Sequence, residues 1–352
     1  MLKVSVIIKG LNEESNIARA IESSLAAVAP YGGEVILADS ASTDRTIDIA
    51  LQYPITVVQL CNPEERCCGI AAQLGYQHSH GEYIYILDGD MELDSSFLKI
   101  ALDFLQHEPQ VAGVGGLLRE MQTQALEFKV RTKRGERFRA NRPLPADRAL
   151  TVGWIDGGGL YRRAAIDDVF YLTDRNLHAY EEYDLGARLR IKGWRLVRLQ
   201  NHAVDHYGYA MNAARMLWYR VQTGYVLGTG DLLRASVISA YLKTALIELR
   251  ALRIFGIVLI LWIVVLMIVM FAPHLSWAVG ALCTIFLAPV IAMSLRQRSI
   301  KLGLYSVAQW HIYAFGLLIG IFGKRKPPGD PIESRIFRTA YDHVSSSGIR
   351  VD

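Results

Sequence analysis

Asp88-Gly89-Asp90 sets two carboxylates one residue apart, directly behind the apolar run Glu82–Leu87. Paired carboxylates at the end of a buried strand can hold a divalent cation through oxygen ligands while the cation bridges a diphosphate. A cation there offsets charge that develops on a departing phosphate. Glu181-Glu182-Tyr183-Asp184 gathers three further acids. A helix N-terminus favours acids through its dipole alone, and a carboxylate so placed can also take the proton of a hydroxyl. His202, Asp205 and His206 follow the last β-rich run, and His206 is a candidate metal ligand. The glycines Gly157, Gly158 and Gly159 let backbone N–H groups approach a sugar or phosphate closely.

These residues need elements to position them. Val4–Ile8, Glu34–Ala38, Ile55–Gln59, Glu82–Leu87 and Val111–Gly116 read as strands. Between them, Ile17, Ile21, Leu25 and Val28 recur at helical spacing. Ser42-Thr43-Asp44 caps a second helix, and Gly69–His78 supplies a third. The alternation predicts an α/β domain with a mostly parallel sheet and helices on both faces. Ligands of such sheets bind beyond the carboxyl ends of the strands, where Asp39 and Asp88-Gly89-Asp90 fall. No G-x-G-x-x-G follows the first strand, which counts against a nicotinamide or flavin enzyme.

The 352 residues carry a net charge of only +4, so composition gives no reason to expect a nucleic-acid partner. Lys129 to Arg142 holds seven basic residues and one acid, Glu136. That run reads either as a solvated loop or as a cationic cover for a phosphate or an anionic membrane. Cys61, Cys67, Cys68 and Cys283 form no C-x-x-C pair and read as thiols of a reducing compartment. The apolar run at the N-terminus is too short for a signal-peptide core, so the N-terminal domain is expected in the cytoplasm.

Apolar residues concentrate late in the chain. Phe255–Ala272 and Trp277–Met293 each approach the roughly 20 residues needed to cross a bilayer. Leu302–Phe322 is a third run, interrupted by Gln309 and His311. Arg250 and Arg253, then Arg296, Arg298 and Lys301, then Lys324-Arg325-Lys326 flank these runs. The positive-inside rule makes the first two runs a transmembrane hairpin. The third is re-entrant, interfacial or a further crossing. Ala235–Arg250 has the mixed composition of an interfacial amphipathic helix.

Several motifs, in order between Val4 and Leu199, resemble those of the family-2 inverting glycosyltransferases. Val6-Ile7-Ile8 followed by Asn12-Glu13-Glu14 is similar to that family's first strand and donor-binding N-E. Asp39-Ser40-Ala41-Ser42-Thr43-Asp44-Arg45-Thr46 resembles D-D-G-S-T-D-x-T, with Ser40 and Ala41 replacing the second Asp and the Gly. Gly81-Glu82-Tyr83-Ile84 leading to Asp88-Gly89-Asp90 resembles G-E-Y-I…D-x-D, and Gly157 to Arg163 resembles the small-residue turn beside donor and acceptor. Glu181 to Leu185, then Arg188 and Gly193-Trp194, resembles E-D-x-D/E-L…R…G, whose second acid is the general base.

The resemblance implies the nucleotide-sugar-binding A-type glycosyltransferase fold, with C-terminal transmembrane or interfacial helices. It implies Glu182 as base, with Glu181 the alternative. It implies donor contacts from Asn12, Glu13, Asp39, Asp88, Gly158, Arg215 and Trp218, and Mn²⁺ or Mg²⁺ on Asp88, Asp90 and His206. The domains expected are a cytoplasmic catalytic domain over 1–230, an interfacial helix over 231–253, a membrane region over 254–323 and a polar tail over 324–352, loosely ordered from Pro327. The implied reaction is inverting transfer from a nucleotide diphosphate sugar, a UDP-sugar in the simplest case, to a hydroxyl of a lipid-linked acceptor. Membrane lipids are the expected surroundings, and a multi-pass inner-membrane enzyme the expected setting. The motif and the apolar segments together look most like succinoglycan-type enzymes of exopolysaccharide assembly. A polyprenyl-phosphate sugar synthase and a processive synthase–translocator are the alternatives. A phosphate acceptor is already an anion and needs no base, so the acids at 181 and 182 favour a hydroxyl.

Overall fold

Strand β1, Val4–Gly10, buries both of its faces. Val6 and Ile8 join one apolar cluster, and Ile7 joins another on the opposite face. The same alternation runs through β2, Glu34–Asp39, where Val35 and Leu37 face the first cluster and Ile36 and Ala38 the second. Helices Ile17–Val28 and Ser95–His107 supply Ile17, Ile21, Phe97 and Leu98 to the first cluster. Helices Cys68–Gln77 and Glu181–Ile191 supply Ile70, Leu74, Leu185 and Leu189 to the second. A sheet covered on both faces has near-continuous apolar strands, which is why these runs are visible in the sequence.

The computed structural model describes residues 3–122, 149–208, 211–271 and 274–339. The chain parts into two units, one made of 1–213 with 325–352 and the other of 214–324. The basic run from Lys129 to Arg142 lies outside the described residues.

The remaining strands of the first unit are β3, Thr56–Leu60; β4, Tyr83–Asp88; β5, Met91–Leu93; β6, Val111–Glu120; β7, Leu150–Val152; β8, Gly159–Arg162; β9, Arg195–His206; and β10, Ser334–Arg338. They form one sheet in the order β10-β3-β2-β1-β4-β8-β6-β9-β5, with β7 on β9. From β3 to β4 every pairing is parallel. Beyond β4 the sheet is mixed: β8 is antiparallel to β4 and β6, and β5 is antiparallel to β9, while β6 and β9 are parallel. The parallel expectation therefore describes the first four strands. Strands of three or four residues such as β5 and β8 can pair antiparallel without a crossover helix.

Two features depart from the expected domain plan. The first unit ends at 213 rather than 230, since helix Ala213–Gln222 packs within the second unit, where Arg220 reaches Tyr313. The polar tail is not loose over 325–339. Arg325 pairs with Asp174 at 2.7 Å and Lys326 with Glu65 at 2.6 Å. Ile332 is buried, its N–H donates to Gln77, and β10 pairs antiparallel with β3. Polar residues there serve an edge strand, which needs an apolar side chain only where it meets the core.

The second unit is helical. The expected interfacial helix is two, Gly228–Ile238 and Leu242–Glu248, broken at Ala240 with φ 60°. Among the described residues three helices, Arg250–Phe271, Leu275–Gln297 and Ile300–Phe322, are long and apolar enough to cross a membrane. In the last of these His311 accepts a hydrogen bond from the Trp262 indole at 2.8 Å, which satisfies a polar group among apolar neighbours.

Helix Glu181–Ile191 carries the acidic motif and is locked from below. Asp184 is fully buried, and Arg188 donates to it at 2.8 Å and to the carbonyls of Tyr171 and Leu172. Removing one partner of a buried ion pair leaves an uncompensated charge, at a cost of about 3–5 kcal/mol. Arg188→Met is therefore expected to lower the unfolding midpoint of the detergent-solubilised chain by several degrees, read by thermal melts.

Candidate active site

Strand register builds the centre of the site. Lys9 and Asp88 are register partners on β1 and β4, and both point to the face that holds helices Cys68–Gln77 and Glu181–Ile191. The Lys9 ammonium lies 2.8 Å from Asp88, 3.1 Å from Glu181 and 4.0 Å from Glu182. Burial opposes its charge, but Asp88, Glu181 and Glu182 outweigh it and hold Lys9 well above the usual lysine range.

The two motif glutamates differ in surroundings. Tyr180 precedes them in the left-handed region, φ 70°, and turns the helix start toward the strand ends. The Glu181 side chain is 7% exposed and Glu182 is 26% exposed. Glu182 lines a small cleft with Lys9, Asp88, Ile155, Gly158 and Tyr161. Burial, then the neighbouring Glu181, raises its pKa to about 8, and Lys9 works in the opposite sense. Gly158 enters the cleft with φ 91°, a conformation that favours glycine.

A second cluster lies on the neighbouring strands. His206 ends β9 between β5 and β6, opposite Met91 and Glu120 in register. Its Nε2 is 3.1 Å from Asp90, and its Nδ1 is 2.5 Å from Glu120. Burial disfavours the charged ring, yet the hydrogen bonds with Asp90 and Glu120 raise its pKa to about 10. Arg119 pairs with Asp205 alongside. Asp90 and His206 lie side by side and would hold a divalent cation once the ring gives up its proton, which cation binding itself drives. Asp88 is engaged by Lys9 instead. Among the described residues no group of three His, Cys, Asp or Glu side chains is arranged as a metal cage.

Asn12, Glu13 and Asp39, residues expected to contact a donor, gather at the ends of β1 and β2. Ser42 N–H and the Gln59 amide donate to Asp39 at 2.8 and 2.9 Å. Asn12 accepts from Thr43 N–H at 2.8 Å, and its own N–H donates to Ser42. Glu13 N–H donates to Thr46, and the Glu13 side chain packs so close to Gly89 that a Cβ there would meet its Cγ at 2.8 Å. Ala41, where the resembled motif has Gly, keeps φ 61°. This strain costs about 1–2 kcal/mol. Arg66 offsets it by donating to the carbonyls of Ser40, at 2.8 Å, and Ala41. Arg215 and Trp218 are exposed on helix Ala213–Gln222, in the second unit.

Reading by motif missed Lys9, Glu120 and Arg66. Lys9 had a signal, a lone charge inside an apolar strand. Glu120 had none, since its role depends on pairing with β9.

A family model described as Glycosyl transferase family 2 matches residues 5–170. The putative glycosyltransferase EpsE of Bacillus subtilis (strain 168) is 33% identical over 212 residues, which cover 56% of this chain and 70% of that protein. Glucomannan 4-beta-mannosyltransferase 2 of Arabidopsis thaliana is 27% identical over 130 residues, covering 34% of this chain and 22% of that protein. The chain thus spans under a quarter of the plant protein. Among solved structures, mannosyltransferase PcManGT from Pyrobaculum calidifontis, in complex with GDP-Man and Mn²⁺, shares the fold. Its TM-score is 0.54 at 16% identity, over 91% of this chain and 87% of that one.

If Asp90 and His206 hold the cation, Asp90→Asn should weaken Mn²⁺ binding by about 10-fold or more. Asp88→Asn should weaken it far less. Isothermal titration with UDP present compares the two variants directly, and equal losses would return Asp88 to the ligand set.

Proposed function

The chain belongs to glycosyl transferase family 2, and from that premise we propose that it transfers a sugar from a nucleotide diphosphate donor, a UDP-sugar, to a hydroxyl of a lipid-linked acceptor. The observation that carries this reading is the position of Glu182, whose carboxylate opens onto the cleft beside Gly158 and Asp88. Glu182 accepts the acceptor's proton while the hydroxyl oxygen attacks the anomeric carbon. The nucleoside diphosphate departs from the opposite face, so one displacement inverts the centre. Asp90 and His206 would hold a divalent cation, whose charge offsets that on the departing diphosphate. Asn12, Glu13 and Asp39 orient the nucleoside, and the Gly158 turn lies against the sugar. Exopolysaccharide assembly is the setting that fits an acceptor presented at a membrane.

The helical unit is proposed to anchor the enzyme in the inner membrane with the catalytic unit in the cytoplasm. The chain leaves the catalytic unit at 213 and rejoins it at 325, where β10 is part of the same sheet. Both ends of the helical unit then lie on one side of the membrane, which requires an even number of crossings. Arg250–Phe271 and Leu275–Gln297 make the crossing pair. Ile300–Phe322, with Gln309 and His311, lies in the interface or re-enters.

Glu182→Gln should keep donor binding but lose transfer by about 100-fold or more, with Glu181→Gln losing far less. The base acts unprotonated, so wild-type kcat/KM should climb with pH and level off above about 8. That ascending limb should vanish in Glu182→Gln. Transfer that survives Glu182→Gln intact would point to a phosphate acceptor.

A Cys placed at Ser346, in a background without the native cysteines, should resist a membrane-impermeant thiol reagent on intact cells and react after lysis. Labelling from outside would mean three crossings and a tail separated from β3.

A further inference from the structure

Lys9 has no part in the transfer chemistry as described, yet it sits at its centre. It is the one charged residue of β1, and burying an ammonium is costly unless partners compensate it. Its partners are unequal. Asp88 and Glu181 are within 3.1 Å, while Glu182 is at 4.0 Å. Glu181 and Glu182 are adjacent in sequence, and without a cation their charges would repel across the same small space. The ammonium draws Glu181 down to 7% exposure and leaves Glu182 at 26%.

Resting on the transfer reading above, we propose that Lys9 is a positioning residue that clamps Asp88 and Glu181 and so leaves Glu182 as the carboxylate that faces the acceptor. The groups facing Glu182 are Lys9 on β1, Asp88 on β4, Tyr161 on β8, Cys68 on helix Cys68–Gln77 and Glu181 on its own helix. Among these Lys9 alone is cationic. Burial pushes the Tyr161 hydroxyl and the Cys68 thiol up, so both stay neutral near pH 8. Among the described residues Lys9 is therefore the side chain that, with a backbone N–H, opposes burial and Glu181 in setting the proton affinity of Glu182.

The test is the pH profile of the full chain in detergent with Mn²⁺ and UDP-sugar. Lys9→Met removes the charge at similar length, and the ascending limb of kcat/KM should move up by about one pH unit or more. Lys9→Arg should hold the limb near its wild-type position. Glu181→Gln gives an independent reading should Lys9→Met fail to fold. It frees the ammonium for Glu182, so the limb should move down. A Glu182-dependent limb that stays in place in Glu181→Gln, and in Lys9→Met where that folds, overturns the clamp. Absence of the limb in the wild-type enzyme is a different result, and it overturns the base reading on which the clamp rests.

Discussion

An ammonium buried among three carboxylates governs what the carboxyl ends of β1 and β4 can do. Lys9 stays charged because Asp88 and Glu181 surround it, and Glu181 is tolerated in the interior because Lys9 is there. Neither side of this cluster is stable alone, since unpaired buried charge is strongly unfavourable. The register of two parallel strands makes the Asp88 contact, and the start of one helix makes the others. The helix is in turn held by Arg188 and Asp184, a second buried pair one turn further along. Glu182 owes its raised pKa first to burial and then to Glu181, and Lys9 holds that rise down.

The same logic recurs at His206. The ring lies between Asp90 and Glu120 because β9 is bracketed by β5 and β6. A carboxylate on Nδ1 fixes the orientation of the ring and leaves Nε2 directed at Asp90. Asp88 meets Lys9 and Asp90 meets His206, so the two acids of Asp88-Gly89-Asp90 belong to different clusters. Gly89 between them is held small by Glu13, which ties the loop after β1 to both clusters.

Much of the fold was legible because its signals are local. The stripe of Ile17, Ile21 and Val28 is buried as its spacing requires, and the strands of the first four positions fall within one residue or a few of their apolar runs. The acidic pairs were legible through motif order. What was not legible depends on pairing between distant segments. Nothing near Lys9 announces that Asp88 will be its neighbour, and nothing near Glu120 announces His206. The mixed half of the sheet escaped for the same reason: β5 and β8 are too short to show a period. Glu181 and Glu182 carry the same side chain, and motif order alone separates them in sequence; in the fold the ammonium lies nearer to Glu181.

The tail is the clearest case of a non-local element. Ser334–Arg338 reads as polar, yet it covers the outer edge of β3, which would otherwise present unpaired backbone groups. Its approach is fixed by charge: Arg175 and Lys326 share Glu65, while Arg325 meets Asp174. Residues 214–324 are thus an insertion between two parts of one sheet rather than an appendage after it. The edge of β3 stays open during synthesis until the whole helical unit has been made. β10 is therefore the last strand to join the sheet, and the cover over β3 waits on chain made after the helical unit.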